Sequence, residues 1–250
     1  MTQKKNTASI NSYLPILPER TFVSAEDALK KAARCSDAND SRRDACNFSF
    51  LEFSGITFKG EDLSGCEAHY SKFSDCEFIG CSISCTEFFY AVFENCRFVN
   101  CKMERGNFSF AFLDNVSFTS CNLDRTVFRF ARGGFSCQSC MMERSSAPMS
   151  HLKVTLTDTD APLFEANAAE VELEVLRSRL SGSEFNDSTV KGTVSESDLT
   201  RSEFNRADVS ELKINVCAQS DMEIEDTVGW DEMEDDDLED FFRSDDGDEK

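Results

Sequence analysis

The sequence predicts an all-β solenoid built from five-residue units, with four units in each coil. The first observation is a period of five. When residues 46–130 are divided into fives, every third residue except Ala68 is large and apolar. A fixed period of this kind must be read as a repeat before any single strand or helix is assigned. These third positions are Phe48, Phe53, Phe58, Leu63, Ala68, Phe73, Phe78, Ile83, Phe88, Phe93, Phe98, Met103, Phe108, Leu113, Phe118, Leu123 and Phe128.

The second observation is a period of twenty that lies on top of the first. One series of fifth positions is aromatic throughout and another is small or polar. Since residues twenty apart resemble each other more than their neighbours do, four units make one coil and equivalent residues stack between coils. The aromatic series is Phe50, Tyr70, Tyr90, Phe110 and Phe130, and the small series is Gly60, Gly80, Asn100 and Ser120.

The cysteines follow the same repeat. Seven of the twelve fall on the first position of a unit, which Ala91 and Ala111 also occupy. Because a free cysteine behaves as a small buried apolar residue, we expect packing rather than disulfides or metal ligation. Cys81, Cys101 and Cys121 should stack about 4.8 Å apart, which would allow disulfides between coils only in an oxidising compartment. The seven are Cys46, Cys66, Cys76, Cys81, Cys96, Cys101 and Cys121.

The pattern divides the chain into five segments. Residues 24–35 predict a short helix with Ser24 as N-cap, which would cap the first coil. The repeat decays after residue 130, and Pro148 and Pro162 predict an irregular insert. When the repeat returns, a one-residue slip after Val190 predicts a bulge or a tightened corner. The segments are an N-terminal segment with the helix (1–45), a first repeat block (46–140), the insert (141–172), a second repeat block (173–226) and an acidic tail (227–250).

Several units resemble the A-(D/N)-(L/F)-X-X repeat of the pentapeptide-repeat family. The resemblance covers residues 46–140 and 173–226 and implies a right-handed quadrilateral β-helix. It also implies that the third and first residues of each unit point inward and the other three outward. Known members include acidic DNA mimics that bind type II topoisomerases and effectors that bacteria inject into host cells. The matching units include Cys46-Asn47-Phe48, Cys121-Asn122-Leu123, Ser197-Asp198-Leu199 and Ala207-Asp208-Val209.

Charge and motifs argue against an enzyme and against direct nucleic-acid binding. The net charge of −21 is concentrated at the C-terminus, and a phosphate backbone is an unsuitable partner for such a chain. Phosphate-loop, dinucleotide-binding and zinc-protease motifs are absent, and His69 and His151 have no evident catalytic partner. The single C-x-x-C at 137–140 lacks the second pair that a structural zinc requires. We therefore predict no enzyme activity, no cofactor and no metal.

Two features are candidates for binding a protein partner. The first is the aromatic series from Phe50 to Phe130, which would form a stripe about 20 Å long. The stripe could bind a partner, stabilise the coils by stacking, or lie under the N-terminal segment or residues 141–172. The second is the tail, whose apolar residues could fold onto a basic groove of a partner or pack back on the last coil. These tail residues are Trp230, Leu238, Phe241 and Phe242.

The function that the sequence favours is a non-catalytic, rigid protein-binding scaffold. One alternative is mimicry of DNA toward a topoisomerase or another DNA-binding enzyme, which predicts a continuous acidic face. Another is a secreted effector that acts on host proteins. The sequence has no apolar run of the roughly 20 residues that a membrane span needs and no secretory signal core, so we expect a cytoplasmic protein, or one delivered to a host cell if it is an effector. A homo-oligomer is compatible with all three readings.

Overall fold

The computed structural model describes residues 19–35 and 47–230. One helix and thirteen short strands form in this part of the chain. Their order is β1 (Thr21–Phe22), α1 (Ala25–Cys35), β2 (Leu51–Ser54), β3 (Thr57–Lys59), β4 (Lys72–Ser74), β5 (Glu77–Ile79), β6 (Val92–Glu94), β7 (Arg97–Val99), β8 (Phe112–Thr119), β9 (Arg132–Gln138), β10 (His151–Thr157), β11 (Glu170–Leu176), β12 (Thr189–Ser195) and β13 (Asp208–Asn215).

Each coil of the chain has four sides, and each side pairs in parallel with the same side of the next coil. The first side is a ladder of single bridges that begins with Asn47 opposite Glu67, and the fourth begins with Asp62 opposite Ser82. The second and third sides are strands, in the orders β2-β4-β6-β8 and β3-β5-β7-β8. From β8 onward a single strand spans both of these sides. This confirms the predicted all-β solenoid, a parallel β-helix with four five-residue units per coil.

The composition of the five-residue unit follows from the geometry of its corner. The fifth residue turns the chain in the left-handed region, with φ of 61° at Phe50, 68° at Gly60 and 53° at Asn95. Glycine and asparagine reach this region most easily. An Asn or Asp at the second position accepts a hydrogen bond two residues on, as Asn47 Oδ1 does from the Ser49 N–H at 2.7 Å. This turn explains the polar second residue of the repeat.

The core is a set of stacked apolar columns that run along the solenoid. Phe58, Phe78, Phe98 and Phe118 form one column, with successive ring centroids 4.8, 4.6 and 5.0 Å apart. All four side chains are buried. Offset aromatic pairs of this kind contribute roughly 0.5–1.5 kcal/mol each beyond the burial of their area. Phenylalanine suits these positions because it has no polar atom that would need a partner in a dry core.

Residues 141–172 continue the solenoid, so the predicted irregular insert is wrong. Leu113 pairs with Gly133, twenty residues on, whereas Val116 pairs with Phe135, only nineteen residues on. The residue that is lost is the left-handed corner between the second and third sides. Strands β9 to β12 therefore run straight across both sides, and β10 buries every second side chain from Leu152 to Leu156. The slip after Val190 is the same tightened corner, repeated in one coil after another.

A glycine lies where the corner first disappears. Gly133 has φ of +99°, and a Cβ atom there would lie 2.0 Å from the carbonyl oxygen of Leu113. No other residue fits so close to the preceding coil. The ring of Phe135 helps to fill the core beside it and stacks on Phe128 at 4.7 Å.

Both ends of the described solenoid are covered. The predicted helix is confirmed as α1, where the Asp27 N–H donates to Ser24 Oγ at 3.2 Å and Ala28 and Ala32 are fully buried. Strand β1 pairs in parallel with β2 and extends the second side by one further strand. At the other end, the Trp230 ring lies 6.1 Å from the Phe204 ring. Within residues 19–35 and 47–230, no helix is long and apolar enough to cross a membrane.

Candidate functional site

The aromatic column consists of Phe50, Tyr70, Tyr90, Phe110 and Phe130, which occupy the corner between the first and second sides. Each residue has a positive φ between 56° and 61°, which directs its side chain away from the core. Successive ring centroids are 5.4, 5.0, 4.7 and 4.7 Å apart, with interplanar angles of 5–25°. The structure therefore brings all five sequence-predicted residues together on the outside of the solenoid.

The aromatic column is partly exposed and has apolar neighbours that sequence reasoning missed. Phe50 is 43% exposed, and the other four rings are half-buried. The Phe89 ring lies 4.8 Å from Tyr90 and 5.1 Å from Phe110. Val92 and Phe112 follow the same corner on the second side, at positions where most other coils carry charge. Their signal was an apolar residue at an outward second or fourth position of the unit.

Residues 141–172 do not cover the aromatic column, because they form further coils of the same solenoid. Met149, which is 41% exposed, takes the corner position that follows Phe130. One of the two covers considered from the sequence is thereby excluded. The column instead has an apolar continuation toward the C-terminus.

Arg20 and Thr21 contact the N-terminal end of the aromatic column, at Phe50 and Tyr70. Arg20 Nε donates to the Tyr70 carbonyl oxygen at 2.7 Å, and the Thr21 N–H donates to the Phe50 carbonyl oxygen at 2.8 Å. Burial lowers the pKa of Arg20, while Glu52 and Glu94 oppose that shift. Arg20 Nη2 is buried and has no hydrogen-bond acceptor in the part of the chain that the structure describes.

Only one of the four tail candidates falls in the described part of the chain. Trp230 is partly buried and packs against the core. This contact fits the alternative in which the start of the tail covers the last coil. Leu238, Phe241 and Phe242 lie outside the described residues.

Acidic side chains form a ladder on the first side near the C-terminal end. It consists of Glu165, Glu184, Glu203 and Glu223, which are bridged in sequence by parallel backbone pairing. Asn186 Nδ2 donates to Glu203 Oε2 at 2.8 Å and so helps to hold the ladder. Toward the N-terminus this row is interrupted by uncharged Asn107, Val127 and Ser146, and the same side then carries Glu87 and Glu67. The ladder is therefore short, and this side is not acidic along its whole described length.

Three aspartates in this half are paired with arginines of the next coil. Asp158, Asp160 and Asp187 each hold an arginine of the next coil, with shortest nitrogen–oxygen distances of 2.8, 2.6 and 2.7 Å. The side chains of these pairs are about half exposed, so each pair contributes little to stability. Their partners are Arg177, Arg179 and Arg206.

The sequence candidates for metal or acid–base chemistry are scattered. His69 meets the edge of the Phe89 ring at 6.3 Å, and His151 Nδ1 lies 3.0 Å from Glu170 Oε2 on the opposite half of the molecule. Cys137 is buried against Met142, and burial raises the pKa of its thiol. Among the described residues, no three His, Cys, Asp or Glu side chains are arranged to hold a metal ion.

The predicted cysteine column is present and longer than expected. The backbone N–H of Cys101 donates to Cys121 Sγ at 3.4 Å, and that of Cys121 donates to Cys140 Sγ at 3.5 Å. Cys81 precedes them in the same column. Hydrogen bonds to Cys101 and Cys140, together with burial, raise the pKa of Cys121. Every cysteine that the structure describes is a free thiol.

Two open grooves lie elsewhere on the surface. One, of about 430 Å³, forms beside Gly133 and Gly134 and is lined by Phe112 and Lys153. The other, of about 510 Å³, lies on the fourth side and is lined by charged residues and the exposed thiol of Cys85. The second groove holds acids and bases in similar number.

The chain is similar to several solved structures, some of which are described as pentapeptide-repeat proteins. HetL, from the cyanobacterium Nostoc sp. strain PCC 7120 and involved in heterocyst differentiation regulation, is 14% identical; the match covers 72% of this chain and 90% of HetL, with a TM-score of 0.37. QnrB1, a plasmid-mediated fluoroquinolone resistance protein, is 19% identical over 70% of this chain and 90% of its own, with a TM-score of 0.30. A protein of the Arabidopsis thaliana thylakoid lumen is 20% identical over 37% of this chain and 62% of its own, with a TM-score of 0.26.

Sequence comparisons add no further relatives. No family model matches the chain, and no curated protein matches it.

Proposed function

We propose that this pentapeptide-repeat solenoid is a non-catalytic scaffold that binds a protein partner through the aromatic column. The observation that carries the proposal is the stack of five aromatic rings on the outside of one corner. Outward corner residues elsewhere are mostly glycine, asparagine or charged. Contiguous apolar patches on a protein surface often mark sites of protein–protein contact.

The physical properties of the column suit protein recognition. Tyrosine and phenylalanine present large rigid areas at a small cost in side-chain entropy, and tyrosine adds a hydroxyl donor. The rings are fixed by stacking on each other and by a regular backbone ladder. A partner that binds them therefore does not need to order them, which lowers the entropic cost of binding.

The test removes the rings and keeps the backbone. Asparagine occupies the equivalent fifth position of two other units, at Asn95 and Asn100, with φ of 53° and 54°. The double variant Tyr90→Asn/Phe110→Asn should therefore keep the fold while opening the middle of the column. We expect it to lose a partner that the unaltered chain retains in affinity capture from native lysate, identified by mass spectrometry.

The matched control is Arg125→Asn, which changes a left-handed residue at a different corner, the one between the fourth and first sides. It should capture the same partner as the unaltered chain. Capture that is equal in the double variant and in the control would refute the column as the binding surface. Circular dichroism on all three proteins verifies that the solenoid is intact.

The tail is a second contact in this proposal. Residues 221–250 carry sixteen acidic and two basic side chains. Because Trp230 packs on the last coil, a chain that ends at Trp230 keeps its cap and loses only the acidic tail. A partner that depends on the tail should not be captured by this shortened chain. The unaltered chain should capture that partner more strongly at low salt, because salt screens the charges of the tail.

The acidic ladder supports a narrower form of the DNA-mimic alternative. Glu165, Glu184, Glu203 and Glu223 place four carboxylates in a row, which suits a basic surface on a DNA-binding protein. The row covers only the C-terminal half of the first side, so a contact with an extended basic groove would have to include the tail. Replacing Glu184 and Glu203 with Gln should weaken such a contact. The effector alternative has no support in the structure and stays a sequence-based prediction.

A further inference from the structure

We propose that the aromatic column is a docking site for a polyproline-type helix, and that its occupant in the free protein is this chain's own segment from Tyr13 to Pro18. The segment would cover the surface to which the proposed function assigns a partner, so the inference rests on that function for its biological meaning. The docking itself can be tested without any partner.

The first argument is the place where the chain enters the solenoid, which is next to the aromatic column. Thr21 pairs with Leu51, which places Arg20 in line with Phe50 at the foot of the aromatic column. The Arg20 side chain then runs past Phe50 to the Tyr70 carbonyl oxygen. The described chain therefore enters the solenoid beside the first ring of the column.

Length carries the second step. The column spans four coil spacings of about 4.8 Å, or roughly 19 Å. A polyproline helix advances about 3.1 Å per residue, so six residues also span roughly 19 Å. The sequence directly before Glu19 provides six uncharged, mostly apolar residues: Tyr13, Leu14, Pro15, Ile16, Leu17 and Pro18. The occupant and the site therefore match in length and in the absence of charge.

Backbone chemistry carries the third step. Pro15-Ile16-Leu17-Pro18 has the P-x-x-P spacing that puts both prolines on one edge of a three-residue-per-turn helix. Such helices dock on rows of aromatic side chains, and their carbonyl groups have no internal partner. Along the column, the Tyr70 and Tyr90 hydroxyls can donate to these carbonyls. Arg20 Nη2, buried and without an acceptor among the described residues, supplies one more donor at the near end.

The test is photo-crosslinking within the full-length chain. A benzophenone amino acid replaces Leu17, and the crosslinked peptides are identified by mass spectrometry. We expect crosslinks within one chain to the segment from Tyr70 to Phe112. The matched control places the same group at Thr7, which should give at most a background yield there. Adding Tyr90→Asn/Phe110→Asn should lower the Leu17 yield by roughly tenfold, because two central rings are removed.

Each other outcome overturns the proposal. Crosslinks that join two chains, seen as a doubled mass on a denaturing gel, would make a second copy the occupant. Equal crosslinking yields from positions 17 and 7 would show that the segment has no preference for the column. The same conclusion would follow if the Leu17 yield were unchanged by Tyr90→Asn/Phe110→Asn. A Pro15→Ala/Pro18→Ala variant should lower the yield as well, since it removes the polyproline preference without changing charge.

The experiments distinguish a failure of the docking proposal from a failure of the proposed partner-binding function. If the crosslinks form but partner capture is unaffected by the column variants, the docking holds and the partner surface lies elsewhere. If the segment docks and the partner also binds the column, Pro15→Ala/Pro18→Ala should increase capture of the partner, because the segment then competes less strongly for the column.

Discussion

Phe164 and Phe185 lie in successive coils with ring centroids 6.2 Å apart, although Phe164 is the first residue of its unit and Phe185 the third. In the unit of Phe164 the third residue is Ala166, which is fully buried. In the unit of Phe185 the first residue is Ser183. The large and small side chains have thus exchanged places between the two coils. The core is satisfied by the summed volume of each unit rather than by a fixed position for the large residue.

Moving the large side chain from position 164 to position 166 of the same unit should therefore be tolerated. Phe164→Ser alone leaves a cavity and should cost about 3–5 kcal/mol of unfolding free energy. Ala166→Phe alone overpacks the same space and should cost about 1–3 kcal/mol. The double variant Phe164→Ser/Ala166→Phe restores the order of the next coil and should recover most of the loss. Denaturant unfolding of all four proteins measures the coupling; additive losses would contradict volume exchange within the unit.

The same exchange explains why the sequence predicted the first repeat block well and residues 141–172 poorly. Ala147, Ala161 and Ala166 occupy buried third positions, and alanine gives no periodic signal. The loss of one corner residue in each coil from β9 to β12 also shifts the count of five. Both effects depend on how coils pack on each other, which a single repeat unit does not encode.

The aromatic column was the opposite case. Its residues are large, recur every twenty positions and stand at a corner whose outward direction follows from the repeat. Their position on the outside of the coil could therefore be predicted, whereas the sequence left open whether another segment covers them. Phe89, Val92 and Phe112 could not, because each is a single apolar residue at a position where the repeat sets no preference. Their contribution appears only when neighbouring coils are stacked.

Gly133 is predicted to be a position where even alanine is not accepted. A Cβ atom there meets the backbone oxygen of Leu113 at 2.0 Å, and neither group can move without breaking the ladder. Gly133→Ala should therefore cost roughly 2–4 kcal/mol of unfolding free energy. The matched control is Gly80→Ala, where φ is +62° and no atom lies within 4 Å. It should cost only about 1–2 kcal/mol, and equal losses in the two variants would contradict the steric argument.

The arginine pairs predict a weak acid dependence of stability. Hydrogen bonds from Arg177 and Arg206 lower the pKa of Asp158 and Asp187 below the ordinary value of 3.8. A lowered pKa in the folded state adds stability above the unfolded value, and that stability is lost as the pH falls through the folded value. Arg177→Gln/Arg206→Gln should therefore lower the Tm near neutral pH.

The difference in Tm between this double variant and the unaltered protein should shrink to zero in strong acid, where the aspartates are neutral in both proteins. Arg125→Gln, at a corner where the structure shows no ion pair with a described residue, is the matched control and should show no such pH-dependent difference. A difference that stays constant from neutral pH into acid would assign the effect to packing of the arginine stems instead.

Trp230 allows the end of the solenoid to be followed separately from its middle. It is the only tryptophan in the chain, and its ring lies 6.1 Å from Phe204 on the last described coils. Because each coil contacts only its neighbours, the terminal coils have fewer stabilising interfaces and should open first. Fluorescence of Trp230 should therefore change at a lower denaturant concentration than the far-ultraviolet circular dichroism. As the control, Tyr90→Trp in a Trp230→Phe chain reports the middle of the aromatic column and should follow the circular dichroism. Coincidence of all three transitions would mean that Trp230 couples the last coils to the rest, so that the solenoid unfolds as one unit.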